Sequence, residues 1–246
     1  MSNLAHAPKA PLPPIRAALA PGLPAIDELF DFAADAERRL PTLRLRIEER
    51  TVSAAGEAVS RVEALIARPR ARVTTRGADG GIEIWVTDGA QVEGYNMATR
   101  TVTRRPYRAA PEGLADAGLP AAAAIPPNLG PLPTRSWATT FVRPRSFCAA
   151  VLGGATLSAV RADEVLGRTA LVFEAAAPRA VGLDGDRADF SYRVAVDRAT
   201  GMLLAVAEFR GESLVRSAVA TDLEIGAAIP DSAFAVERPS DAVAIY

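Results

Sequence analysis

The 246-residue chain holds one histidine, one cysteine and a single lysine, Lys9, and only 6% of its residues are aromatic. One cysteine excludes an intrachain disulfide framework and any zinc site built from four thiolates. The lone histidine, His6, sits among prolines 8, 11, 13 and 14, where no rigid shell orients it. Histidine-rich zinc sets and histidine-activated nucleophiles are therefore missing, as are G-x-S-x-G, P-loop and H-E-x-x-H motifs. Charge of one sign is also lacking: 28 basic residues face 29 acidic ones, for a net charge of −1. A nucleic-acid binder needs a basic excess, so no nucleic-acid partner is expected, nor any metal or cofactor. No window approaches the ~18 uninterrupted apolar residues of a membrane helix, so no integral membrane segment is expected. Prolines 8, 11, 13, 14, 21 and 24 break every early apolar run, leaving no legible secretory signal. The expected location is cytoplasmic as written, and periplasmic or extracytoplasmic if the true start lies upstream. Residues 1–24 read as a Pro/Ala-rich disordered tail.

What is present is periodicity. In residues 25–39, Ile26, Leu29, Phe30 and Ala33 fall at i, i+3, i+4 and i+7, which predicts a helix with one apolar stripe. Asp27 and Glu28 open it, Arg38 and Arg39 close it, and Pro41 stops it. From residue 42 the period becomes two. Leu43, Leu45 and Ile47 alternate with Arg44, Arg46 and Glu48, and Ile82, Ile84 and Val86 alternate with Glu83, Trp85 and Thr87, as in strands with one wet face. Asp79-Gly80-Gly81 and Asp88-Gly89 mark hairpin turns, and six strands are expected by about residue 105.

Residues 106–135 are a proline- and alanine-rich connection. WATTFVRP follows, then Ser146 as a candidate N-cap, FCAAVL as a short helix and Gly153-Gly154 as its stop. Alternation resumes near 156 and yields five more strands, one with Leu171 and Phe173 on one of its faces and one with Phe190, Tyr192, Val194 and Val196 on one of its faces. The fold class is α+β, mainly antiparallel β. A sheet of about eleven strands curls, so the expected architecture is a curved unclosed barrel with a helical lid. The domain spans 25–240, with lid elements 25–39 and 106–153 and a C-terminal tail at 241–246. Either the lid completes the core, or the mouth holds an apolar ligand.

No catalytic constellation stands out. Cys148 falls on the apolar side of a short helix and reads as core. Asp184-Gly185-Asp186 with Asp189 resembles part of a calcium loop but lacks its remaining ligands. Glu48 and Glu49 alternate to opposite faces and cannot act as a pair. Arginines 68, 70, 72 and 76 read mostly as a charged outer face.

Short motifs in a fixed order carry a family resemblance. Ala67-Arg68-Pro69 precedes Thr87-Asp88-Gly89, then Tyr95-Asn96 and Thr101-Val102-Thr103. Later come Val196-Asp197-Arg198-Ala199-Thr200-Gly201 and Ile229-Pro230-Asp231-Ser232-Ala233-Phe234. Over roughly residues 26–240 this order resembles the LolA-like lipoprotein-carrier superfamily, with its RseB/MucB sensor and LppX/LprG-type lipid-carrier relatives. The resemblance implies an eleven-stranded open barrel with a helical lid, holding acyl chains in an apolar cavity. It also implies that Arg68 hydrogen-bonds the lid. The chain departs from the carriers at Val92 and Glu93, and at Arg70-Ala71-Arg72.

The expected function is that of a non-catalytic, monomeric protein holding a lipid or lipoprotein acyl chain. Leu43, Leu45, Ile47, Ile82, Ile84 and Val86 would form the apolar wall, Phe30 would belong to the lid, and Arg68 would secure it. The alternative is an RseB-like sensor with a filled interior and a regulatory protein partner, and an enzyme of unrecognised type stands third.

Overall fold

The switch to a two-residue period at residue 42 marks the start of the sheet. The computed structural model describes residues 15, 17–106, 136–142, 144–148, 152, 155–176, 189–236 and 240–245. Strands β1 (Thr42–Ser53), β2 (Gly56–Ala67), β3 (Arg70–Arg76), β4 (Ile82–Thr87), β5 (Gln91–Asn96) and β6 (Thr101–Pro106) form one antiparallel meander. A second meander comprises β9 (Arg168–Ala176), β10 (Phe190–Asp197), β11 (Leu203–Arg210) and β12 (Ser213–Ile225). Antiparallel pairing of β1 with β12 joins the two. The short strands β7 (Thr156–Leu157) and β8 (Arg161–Val165) pair with β9, while β13 (Val243–Ile245) runs parallel to β6.

The result is one 13-stranded sheet in the order β13-β6-β5-β4-β3-β2-β1-β12-β11-β10-β9-β7, with β8 also on β9. Among the described residues no pairing joins its two ends, so the sheet is a curved, unclosed half-barrel. Register irregularities at Arg46/Ile47, Ala195/Val196 and Glu208/Phe209 sit in its middle strands, where a bulge bends the strand and increases its twist.

The helices lie on one face. The expected helix over 25–39 is two pieces, α1 (Ile26–Ala34) and α2 (Ala36–Arg39), separated at Asp35. Its buried stripe is Leu29, Phe32, Ala33 and Ala36, again i, i+3, i+4 and i+7 but three residues on from the expected one. Ile26 and Phe30 are thereby left at its half-buried margin. From the insert come α3 (Ala138–Val142) and α4 (Pro144–Phe147). Helix α4 begins at Pro144, so Ser146 lies within it and not at its N-cap; proline's fixed φ suits a first turn.

Two local arrangements explain the motifs. In the β10–β11 turn, buried Asp197 accepts from Arg168 Nε (3.2 Å) and Nη2 (2.9 Å) and from Thr200 Oγ1. Gly201 there has φ +76°, and a Cβ on it would strike Phe32 O at 2.7 Å. Arg39 donates to both Phe32 O and Thr200 O (2.8 Å), so the turn seats the N-terminal helices. In the β4–β5 turn, Gly89 has φ +91° and lies so close to Pro69 that a Cβ would meet its ring at 2.6 Å. The Arg-Pro and Asp-Gly motifs, apart in sequence, are thus in contact.

The second face is partly covered too. The 3-10 turn Asp231–Phe234 crosses β3, where Arg72 donates to Ala233 O (3.0 Å) and Ala235 O (3.2 Å) and Arg70 lies over the Phe234 ring. Beyond it Arg100 pairs with Asp241, and β13 adds to the sheet. Residues 243–245, expected in a terminal tail, are therefore sheet; no turn signal or long apolar run announced so short a strand. Most of the expected 1–24 tail, residues 107–135, Gly153-Gly154 and the Asp184-Gly185-Asp186 segment lie outside the described residues.

Candidate functional site: the lidded inner face

Residues directly opposite one another in an antiparallel ladder share a face, so the register identifies the wall beneath the helices. Leu43 opposes Ile66, Ile66 opposes Ala71, and Ala71 opposes Thr87. The inner face therefore carries Leu43, Leu45 and Ile47 of β1, Val62, Ala64 and Ile66 of β2, and Ala71 and Val73 of β3, all buried. On β4 the same row is Glu83, Trp85 and Thr87. Ile82, Ile84 and Val86 point the other way, opposite Arg76, Thr74 and Arg72. This corrects the expected common wall: alternation within β4 is right, but the outer face there is apolar because the C-terminal segment and Tyr95 and Val102, both buried, share it.

Over this wall lie Phe141 and Val142 of α3, Phe147 of α4, Cys148, Leu152, and Leu29 and Ala33 of α1, all in one core with the strands. Cys148 is buried, and desolvation, aided by Glu37 and Asp31, pushes its thiol up to about 12. It is a protonated core residue at neutral pH. Phe30 packs at the margin of this core.

The lid is tied down at both ends of α3. Arg68 Nη2 donates to Val142 O at 3.2 Å. Burial lowers the Arg68 pKa, and Glu37 on α2 opposes that shift. At the other end, Glu49 on β1 accepts from Ser136 Oγ (2.7 Å) and the Ala138 backbone N–H (3.1 Å) through Oε1. A strand carboxylate thus satisfies an orphan donor of the helix N-terminus, the task of an N-cap side chain.

Glu49 belongs to an ionic group set into the apolar wall. Arg216 on β12 lies 3.7 Å from Glu49 Oε2 and directly opposite Glu208 of β11, which in turn opposes Tyr192 of β10. Tyr192 donates to Glu208 Oε1 at 3.2 Å. Both carboxylates are only 6% exposed. Burial lowers the Arg216 pKa, and Glu49 and Glu208 counter it. The Trp137 ring sits 5.1 Å from the Arg216 guanidinium and meets Tyr192 (5.5 Å) and Phe147 (6.0 Å) edge to face, a geometry aromatic quadrupoles favour. None of these residues was among the expected site residues. The signal lay in β1, where parity carries the Leu43-Leu45-Ile47 row onto Glu49, a charge at an inward position.

Two solvent-open clefts lie away from this interior. One, of about 410 Å³, is lined by Glu48, Arg50, Leu214, Ser217, Val219 and Thr221; the other, of about 340 Å³, lies beside Arg168, Asp197 and Arg198. Among the described residues no three His, Cys, Asp or Glu side chains are grouped to hold a metal, and no helix is long and apolar enough to cross a membrane.

No family model and no curated protein matches the chain. Solved structures are similar to it in fold. The Pseudomonas aeruginosa MucA/MucB complex matches with TM-score 0.49 and 17% identity, over 85% of this chain and 60% of that one. Mycobacterium tuberculosis lipoprotein LppX matches with TM-score 0.42 and 11% identity, over 80% and 94%. A LolA superfamily protein from Nitrosomonas europaea matches with TM-score 0.36 and 10% identity, over 87% and 98%. The chain spans about three-fifths of the MucB chain it matches. The likeness to these structures is one of fold.

Proposed function

We propose that this chain is a non-catalytic binding protein that takes a long acyl chain between the inner face of its half-barrel and its helical lid. The observation that carries the reading is the cover itself. Among the described residues a continuous apolar wall, Leu43 to Ile47 with Val62 to Ile66, is roofed by short helices and not by a second sheet. Side chains from the sheet tie α3 at its two ends, by Arg68 and by Glu49. Such a roof can part from the wall without breaking a ladder. An acyl chain entering would replace the lid's own contacts at ~0.8 kcal/mol per methylene buried. Native mass spectrometry of gently purified protein, with uptake of a fluorescent fatty acid, tests this. A ligand-free spectrum without uptake would count against it.

A second reading is favoured by one observation: the wall is already covered by Phe141, Phe147 and Leu152, each buried. On that reading the interior stays filled and the chain is a regulatory module binding a protein partner. A stoichiometric partner recovered without bound lipid would favour it over the carrier.

A further inference from the structure

We propose that the outer face of the sheet, around Arg61 and Arg76, docks an extended acidic segment of a partner protein. That face lies away from the lid, so the inference goes beyond the acyl-binding reading and holds whatever fills the interior.

Charge pairing singles out the two residues. Arg61 of β2 and Arg76 of β3 are exposed and stand directly opposite one another in the ladder, where like charges repel. Among the described residues neither has a carboxylate or carbonyl acceptor. On the same face Arg44, Arg46, Arg50 and Arg193 each meet a carboxylate of a neighbouring strand, and the other described arginines there have acceptors too. The face thus holds two adjacent cations that its own acidic residues leave unanswered.

A cleft lies on the same row. Val219 of β12 opposes Glu48 of β1, and Glu48 opposes Arg61. Register irregularities leave Val215 without an opposite residue in β11 and Thr221 without one in β1, and such bulges bend a strand. The solvent-open cleft of about 410 Å³ lies along this part of β12, with Leu214 and Val219 in its lining. Val219 is 40% exposed, so the cleft has room for an apolar side chain beside the two arginines. Glu48, between cleft and arginines, is engaged by Arg50 at 3.5 Å.

The spacing sets the ligand. Val219 and Arg76 are three strand spacings apart, about 14 Å, which is the length of about four residues of extended chain. An apolar residue followed two and four places later by acidic ones spans that distance, with all three side chains turned to one side. A bilayer or a nucleic acid draws its binding from many basic residues, and only two are free here.

The test uses the full chain and a fluorescein-labelled peptide of glycine and serine that carries one leucine, with glutamates two and four places after it. A twin peptide has glutamine for both. Anisotropy at low salt should show the acidic peptide binding about tenfold more tightly than its twin, and the difference should shrink as salt screens it. Arg61→Gln and Arg76→Gln should each weaken binding about threefold, and together about tenfold, the scale of exposed ion pairs. Arg44→Gln alters an arginine that already meets Glu224 and should leave binding as it was. Thermal unfolding is the second measurement. Removing one of two repelling charges should leave the melting temperature of Arg76→Gln at or above that of the parent. Failure of the acidic peptide to bind, equal binding of the two peptides, a loss in Arg44→Gln as large as in Arg76→Gln, or a lowered melting temperature in Arg76→Gln would overturn the site. If phosphatidylglycerol vesicles bind through the same arginines and the peptide does not, the occupant is a bilayer and the proposal falls. Uptake of a fluorescent fatty acid is read separately, so the acyl-binding reading stands or falls without this site.

Discussion

Arg68 Nη2 donates to the carbonyl oxygen of Val142 at 3.2 Å, so the turn between β2 and β3 holds the last residue of α3. The contact spans the gap between sheet and lid at the end away from Glu49. It ties together a motif in the first meander and an insert that strand periodicity does not reach.

Removing that tie should loosen the lid without unfolding the sheet. A hydrogen bond from a charged donor is worth about 1.5–3 kcal/mol, and Arg68→Ala loses it along with the packing of the side-chain stem. Amide exchange in 138–142 is expected to quicken several-fold while β1 and β2 stay protected. Unchanged exchange in α3 would show that Arg68 does not hold the lid.

At the opposite end Glu49 should matter more to stability. Glu49→Ala strips an acceptor from Ser136 and from the Ala138 N–H and leaves Arg216 with one fewer carboxylate. A cost of about 1–3 kcal/mol in urea unfolding is expected. Glu49→Gln, which keeps a carbonyl oxygen for Ala138, should cost less. Equal losses would place the energy in the charge and not in the helix cap.

The strands were largely legible because their alternation is local. Residues 190–197 alternate as Phe, Tyr, Val, Val against Ser, Arg, Ala, Asp, and β10 spans those residues. Faces were harder. Alternation says that Ile84 and Trp85 point apart; only the register Val73–Trp85 says which one joins Leu45 beneath the lid. The expected wall took apolar character as the guide, whereas β4 reverses it because Phe234 and its neighbours cover the outer face of the sheet nearby. The ionic group was hidden for a related reason. Glu49, Arg216, Glu208 and Tyr192 come from four strands, and no spacing within one strand announces their meeting.

Cys148 provides a pH test. Its folded pKa is raised from the ordinary value of 9.0 to about 12. Below pH 9 the thiol is protonated whether the chain is folded or not, and its contribution is fully present. Above it the unfolded thiol loses its proton first, so stability falls as pH rises between about 9 and 12. Native protein should resist iodoacetamide at pH 8 and react fully in denaturant. Cys148→Ala should remove this part of the alkaline loss, measured as the difference in unfolding free energy between the two proteins across that range. A native thiol that alkylates as fast as a free one would contradict the burial.

Leu45 and Ile84 separate the two faces of the sheet. Leu45 is fully buried under the lid, and Leu45→Ala should cost about 2–5 kcal/mol, the usual penalty for a large-to-small change in a packed core. Ile84 is half-buried on the outer face opposite Tyr95. Its contacts are fewer, so Ile84→Ala should cost less, about 1–2 kcal/mol. Denaturant unfolding gives both values. The same variants bear on the interior as a binding space. Shortening Leu45 opens room beside the acyl tail and should change the uptake of a fluorescent acyl probe. Shortening Ile84 alters only the outer face, beside Thr74 and Tyr95, and should leave uptake as it was. If Ile84→Ala changed uptake and Leu45→Ala did not, the ligand would lie on the outer face, and the lid would be a cover for the core alone.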